Sequence, residues 1–140
     1  MSDKKFKVEY QMFRWGPLLV KTKIPESMRL KFLSEAKAST ENFEKKLAGV
    51  INKEVGFRDK TMFLPFFNQM FNLYADAQFK WSPEVGSTPE TFKQQYTLDS
   101  LWANFQRPGD FNPPHDHGGA LSWVIYLTMP EALKKEREAY

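Results

Sequence analysis

LDSLWANFQRPGDFNPPHDHGGALSWVIYLTM, residues 98–129, is the stretch on which the fold of this chain turns. Leu98, Ser100, Trp102, Asn104 and Gln106 alternate with Asp99, Leu101, Ala103 and Phe105. Successive side chains of a strand point to opposite faces, so this period of two predicts a strand. Arg107-Pro108-Gly109-Asp110 is a strong turn signal. After His115-Asp116-His117-Gly118-Gly119, the run Leu121–Met129 is apolar and β-branched until Pro130 stops it, which predicts a second strand. The expectation is a paired-strand motif with a histidine-bearing loop between its two strands.

Both histidines of the chain lie in that loop. In extended backbone, residues i and i+2 share a side, so His115 and His117 can present two imidazoles to one ion, with Asp116 available if the loop twists. Imidazole together with carboxylate suits iron, copper, nickel or zinc. Pro114 stiffens the approach, and Gly118 and Gly119 let other groups come close. A bare His-x-His also fits a hydrogen-bonded loop cluster. The flanking sequence shifts the balance towards a metal.

The segment LWANFQRPGDFNPPHDHGGALSWVIYL resembles the first metal-binding hairpin of the Fe(II)/2-oxoglutarate-dependent oxygenases, and is most similar to members encoded by T4-like phages of marine cyanobacteria. In that superfamily a strand and a Pro-Gly turn lead to His-x-Asp, and a second hydrophobic strand ends in Tyr-Leu. Asn104, Gln106, Pro108-Gly109, His115 and Tyr126-Leu127 match in order and spacing. The DNA-repair demethylase branch carries Asn and Tyr at the positions of Asn104 and Gln106, where both contact 2-oxoglutarate. The resemblance therefore implies Fe(II) and 2-oxoglutarate as cofactors, with Asn104 and Gln106 as co-substrate contacts and His115 as a metal ligand.

Two departures matter. Where the family has the aspartate of His-x-Asp, this chain has His117, which is the expected second ligand because of its i+2 placement; Asp116 is the alternative. The family also uses a distal His and a later Arg or Lys that pairs with the far carboxylate of 2-oxoglutarate. No histidine follows His117, and Arg137 precedes any recognisable final strand. The expectation is thus that residues 1–140 are a single domain forming the N-terminal part of a larger oxygenase domain. A truncated product, one half of a split protein, or a dimer that completes the sheet are alternatives.

Upstream, Phe6, Val8, Tyr10 and Met12 alternate with polar residues, as do Leu18, Val20, Thr22 and Ile24, and two strands are expected around Trp15-Gly16-Pro17. From Glu26, Met28, Phe32, Leu33 and Ala36 have helical spacing, and beyond Ser39-Thr40 so do Phe43, Leu47, Val50 and Ile51. Phe63, Phe66, Phe67, Met70, Phe71 and Tyr74 form a continuous apolar stripe with Thr61 to cap it, which reads as core packing. Residues 81–92 read as a loop, and Glu131–Tyr140 as a charged, helix-prone tail. Trp102 and Trp123 read first as core and second as walls of the site. The fold class expected is α+β, with N-terminal strands and helices supporting a partial double-stranded β-helix, or jelly-roll, sheet.

Composition narrows the function classes. The chain has 140 residues, 41% hydrophobic and 16% aromatic, which is ample for one core. Its lack of cysteine excludes a disulfide framework, a thiolate zinc site and an iron–sulfur cluster. The net charge of +3 is scattered rather than striped, so a nucleic-acid partner is not indicated. No membrane segment or signal region is legible, and a cytoplasmic protein (of the host cell, for a phage product) is expected. The functional expectation is a dioxygenase acting on an unknown substrate. A non-catalytic jelly-roll or cupin-like binding module and a phage assembly protein are the rivals, and an open strand edge at Leu121–Met129 would promote self-association.

Overall fold

The stripe from Phe63 to Tyr74 becomes the axis of the molecule. The structure, a computed structural model, describes residues 9–13, 18–43, 49–81, 88 and 96–139. A 3-10 turn over Thr61–Phe63 leads into helix α2, Leu64–Trp81, with Pro65 in its first turn, where a missing N–H breaks no helical bond. Thr61 is not the cap of this helix. Asp59 Oδ1 instead accepts both the Thr61 backbone N–H (2.8 Å) and its hydroxyl (2.5 Å), fixing the entry one step earlier. Phe66, Phe67, Met70, Phe71, Ala75 and Ala77 of α2 are buried.

Helix α1, Glu26–Ala38, begins after Pro25, whose carbonyl accepts the N–H groups of Met28 and Arg29. It buries Phe32 and Ala36 against α2 and the preceding turn. The Phe32 ring stacks on Phe63 at 4.1 Å and meets Phe57, Phe66 and Phe67 edge-on at 6.2, 5.6 and 6.0 Å. Edge-to-face and stacked aromatic pairs contribute about 0.5–1.5 kcal/mol each beyond their burial. Val55 and Phe57 complete this core.

Among the described residues, four short strands form two antiparallel sheets: β1 (Tyr10–Phe13) with β2 (Leu19–Thr22), and β3 (Glu54–Gly56) with β4 (Trp102–Asn104). The first pair is the two strands expected at the N-terminus, with Tyr10 opposite Thr22. Residues 6–8 and Trp15-Gly16-Pro17 lie outside the described residues, as do most of the loop expected at 81–92 and Leu47. In the second sheet Glu54 faces Asn104, and the ladder continues through Phe57 N–H to Leu101 O and Phe105 N–H to Lys53 O. Its other side is met by residues 41–43, through Phe43 N–H to Glu54 O and Gly56 N–H to Glu41 O.

Two expectations are corrected here. The helical spacing of Phe43, Val50 and Ile51 does not make a helix at those residues. Asn42 bridges Val55, and Val50 bridges Phe111, so both described ends of that stretch are held extended by distant chain. Among the described residues, the strand around Trp102 forms no ladder with Leu121–Met129 either; β4 pairs with β3. Residues 121–127 are extended, with Leu121, Trp123, Ile125 and Leu127 half-buried against the core and Ser122, Val124 and Tyr126 exposed. Burial against α2 places this run: Trp123 lies 6.3 Å from Phe67 and 5.7 Å from Phe71 between ring centroids. Its one hydrogen bond among the described residues is to the Leu127 carbonyl, from Arg29 Nη1 at 2.5 Å.

The charged tail forms helix α3, Glu131–Ala139. The observed architecture is mixed α and β with small antiparallel sheets. No helix among the described residues is long and apolar enough to cross a membrane.

Phe67 is 1% exposed at the centre of the aromatic cluster, so Phe67→Ala should cost about 3–5 kcal/mol in urea unfolding. Leu30 on α1 is 50% exposed, and Leu30→Ala should stay within about 0.5 kcal/mol of the parent. Equal costs at the two positions would contradict this placement of the core.

Candidate metal centre

The loop that carries the histidines is held at its root by residues just before β3. Pro108 and Gly109 occupy the middle of a turn closed by Asp110 N–H to Arg107 O at 3.0 Å, with Gly109 at φ +92°, the sign that a type II turn demands at its third position. The Asp110 carboxylate accepts the Arg107 backbone N–H at 3.0 Å. It also accepts the Asn52 side-chain amide at 2.6 Å and the Asn52 backbone N–H at 3.4 Å. The Arg107 N–H foremost, and then Asn52, hold the Asp110 carboxyl below the ordinary Asp value. One residue further, Val50 and Phe111 exchange two backbone hydrogen bonds, at 2.9 and 3.2 Å. The loop therefore leaves a fixed base.

The other support is aromatic. Gly56 of β3 stands opposite Trp102 of β4. A Cβ at Gly56 would lie 2.7 Å from the Phe43 ring, so only glycine lets that ring pass across the strand. Phe43 stacks with Trp102 at 6.2 Å and 14°, and Trp102 stacks with His117 at 6.0 Å and 24°. The His115 and His117 rings lie side by side, 4.7 Å between centroids and inclined at 58°. His115 Nδ1 is 2.7 Å from the Pro113 carbonyl oxygen, which can only accept, so Nδ1 carries the proton and Nε2 is left to ligate.

This donor set can be tested against a metal. An ion about 2.1 Å from an imidazole nitrogen is about 3.2 Å from that ring's centroid, so rings with centroids 4.7 Å apart are close enough to share one ion. Asp116 is exposed, and no hydrogen bond joins it to another described residue. Among the described residues, no group of three or more His, Asp or Glu side chains is placed to hold a metal ion.

Asn104 shares the Trp102 face of β4, since the two are i and i+2 in a strand, and its side chain is exposed. Gln106 lies two residues beyond, also exposed. Their amides offer hydrogen bonds to a carboxylate but no charge. The two tryptophans part company: Trp102 supports the histidines, whereas Trp123 belongs to the core.

Three contributors were not legible in advance. Phe43 reaches the site only through the strand bridge at Asn42, Asn52 only through a bond spanning 58 residues, and Pro113 through its backbone carbonyl. None has a local pattern that announces the role. The chain matches no protein-family model, no curated protein and no solved structure.

Because Asp110 has a lowered folded pKa, its contribution to stability is present above the unfolded value of about 3.9 and is lost as pH falls through the folded one. Thermal melts of the parent and Asp110→Asn should differ above about pH 4 and converge on acidification below it. A gap that persists unchanged to the lowest pH would show that the carboxylate does not clamp the loop.

Proposed function

We propose that this chain carries the His-x-His part of the metal centre of a cytoplasmic Fe(II)- and 2-oxoglutarate-dependent dioxygenase. The observation that supports it is the pair of imidazoles at 4.7 Å, one oriented by the Pro113 carbonyl and the other stacked with Trp102. His115 and His117 would hold the iron, His117 being preferred to Asp116 because its ring lies beside that of His115. Asn104 and Gln106 would contact 2-oxoglutarate from the β4 side. Bound Fe(II) would supply dioxygen activation coupled to decarboxylation of the 2-oxoglutarate, leading to hydroxylation of the substrate.

The protein's own part is to orient the exposed imidazoles. Hydrogen-bonded and stacked partners fix ring orientation and raise the basicity of ligating imidazoles. The clamp at Asp110 and the bridge at Phe111 keep the loop from collapsing away from β4. The proposal requires at least one ligand more than the described residues group together, and with two ligands the affinity should be weak. Completion of the small sheets into a double-stranded β-helix belongs to the same proposal. The exposed apolar residues Val124 and Tyr126 favour a second reading, a binding or assembly module that uses the same loop without oxidation chemistry.

Titration with Co(II), followed by calorimetry and visible absorbance, separates these readings. The parent should bind weakly, and more weakly still at low pH where protons compete for imidazole, and His115→Ala and His117→Ala should abolish binding while Asp116→Asn preserves it. Addition of 2-oxoglutarate should alter the Co(II) spectrum, and Asn104→Ala with Gln106→Ala should remove that response. Identical isotherms for the parent and His115→Ala would eliminate the site. Cobalt binding without any response to 2-oxoglutarate would favour the non-catalytic module.

A further inference from the structure

Residues 121–129 contain no charged side chain and no proline. The straight part of the run, 121–126, ends in a bend at Leu127. Its inward residues are covered by the core, but Val124 is 77% and Tyr126 73% exposed, and no described residue forms a backbone–backbone hydrogen bond with the run. The indole Nε1 of Trp123 is buried and has no hydrogen-bond partner among the described residues. Natural sheets protect such an edge with lysine, proline, a bulge or a covering segment. In this run the first two are missing from the sequence, and Arg29 takes only the Leu127 carbonyl.

We propose that this run is the interface of a two-fold homodimer, pairing antiparallel with the same run of a second copy about an axis at Val124. The argument is self-complementarity. A two-fold interface sets the same patch against itself, so every residue must tolerate its counterpart. About Val124, Leu121 meets the partner's Leu127, Trp123 meets the partner's Ile125, Ser122 meets the partner's Tyr126, and Val124 meets the partner's Val124. Aromatic and β-branched residues thus oppose one another on the core side, and serine opposes a tyrosine on the solvent side, combinations that stabilise cross-strand pairs. No like charges face each other, because the run has none.

The register follows from the two faces. Directly opposed residues share a face of a sheet, so Val124 on the axis keeps both copies' core-facing side chains on one side. A slip by one residue would set the inward side chains of one copy on the outward side of the other. A two-residue slip, with the axis at Ile125, would leave Ser122 opposite Thr128, which lies beyond the bend at Leu127. The axis at Val124 is the one that uses Ser122, Val124 and Tyr126 together. A strip this short sits at the low end of interface sizes, so the dimer should form reversibly in the micromolar range.

The inference is independent of the metal proposal. Sedimentation velocity from about 1 to about 100 μM should show the parent passing from monomer to dimer. Val124→Lys, at an exposed position, should leave the circular dichroism unchanged and raise the dimer dissociation constant by at least about tenfold, since it sets like charges opposite each other on the axis. The chain has no cysteine, so Val124→Cys supplies a single reporter that should cross-link across the axis under mild oxidation. Ser122→Cys, about four residues from its own counterpart in this register, should not. A parent that stays monomeric throughout, open-ended assembly beyond the dimer, or equal cross-linking at positions 122 and 124 would each overturn the proposal.

Discussion

The packing of Phe32 against Phe63, Phe66 and Phe67 is the contact on which the rest of the molecule depends. It locks α1 to α2 through rings that meet face-on and edge-on. The remaining elements dock on that cluster. Phe57 brings in the end of β3, Trp123 brings in the extended run, and Leu101, Ala103 and Phe105 bring in one face of β4. Removing a large ring from such a centre leaves a cavity that its neighbours cannot close, so the effect spreads to every element that leans on it. The site feels this core indirectly, because β4 turns one face to it and the other to the histidines.

Local periodicity carried the helices well. The stripe from Phe63 to Tyr74 is long, regular and aromatic, and a helix is the one conformation that gathers it on a single face. Where periodicity was short, long-range pairing overrode it. Phe43, Val50 and Ile51 are spaced as a helix would space them, yet Val50 is bound to Phe111 and Asn42 bridges Val55, partners that no local window contains. Leu121–Leu127 shows the complementary case. Its apolar, β-branched character announced extended backbone, but a strand's neighbour is a property of the whole fold, and among the described residues β4 has β3 for a partner and this run has none.

The candidate site was legible to the same degree. Two histidines at i and i+2 between prolines and glycines were recognisable from spacing, and the structure sets their rings side by side. What orients them was not recognisable. The Phe43–Trp102–His117 stack depends on the bare Cα of Gly56 and on a bridge between distant strands, and the Asp110 clamp depends on Asn52 across the sheet.

The proposed metal centre requires His115 and His117 to act on one ion. The chain has two histidines, so an imidazole nitrogen spectrum contains two ring systems that can be followed separately. During titration with Zn(II) as a diamagnetic probe, both rings should shift together and saturate at one equivalent, with His115 bound through Nε2, the nitrogen left free by its contact with the Pro113 carbonyl. Nδ1 of His115 should stay protonated against Pro113. Independent shifts of the two rings, or saturation at two equivalents, would contradict a shared site.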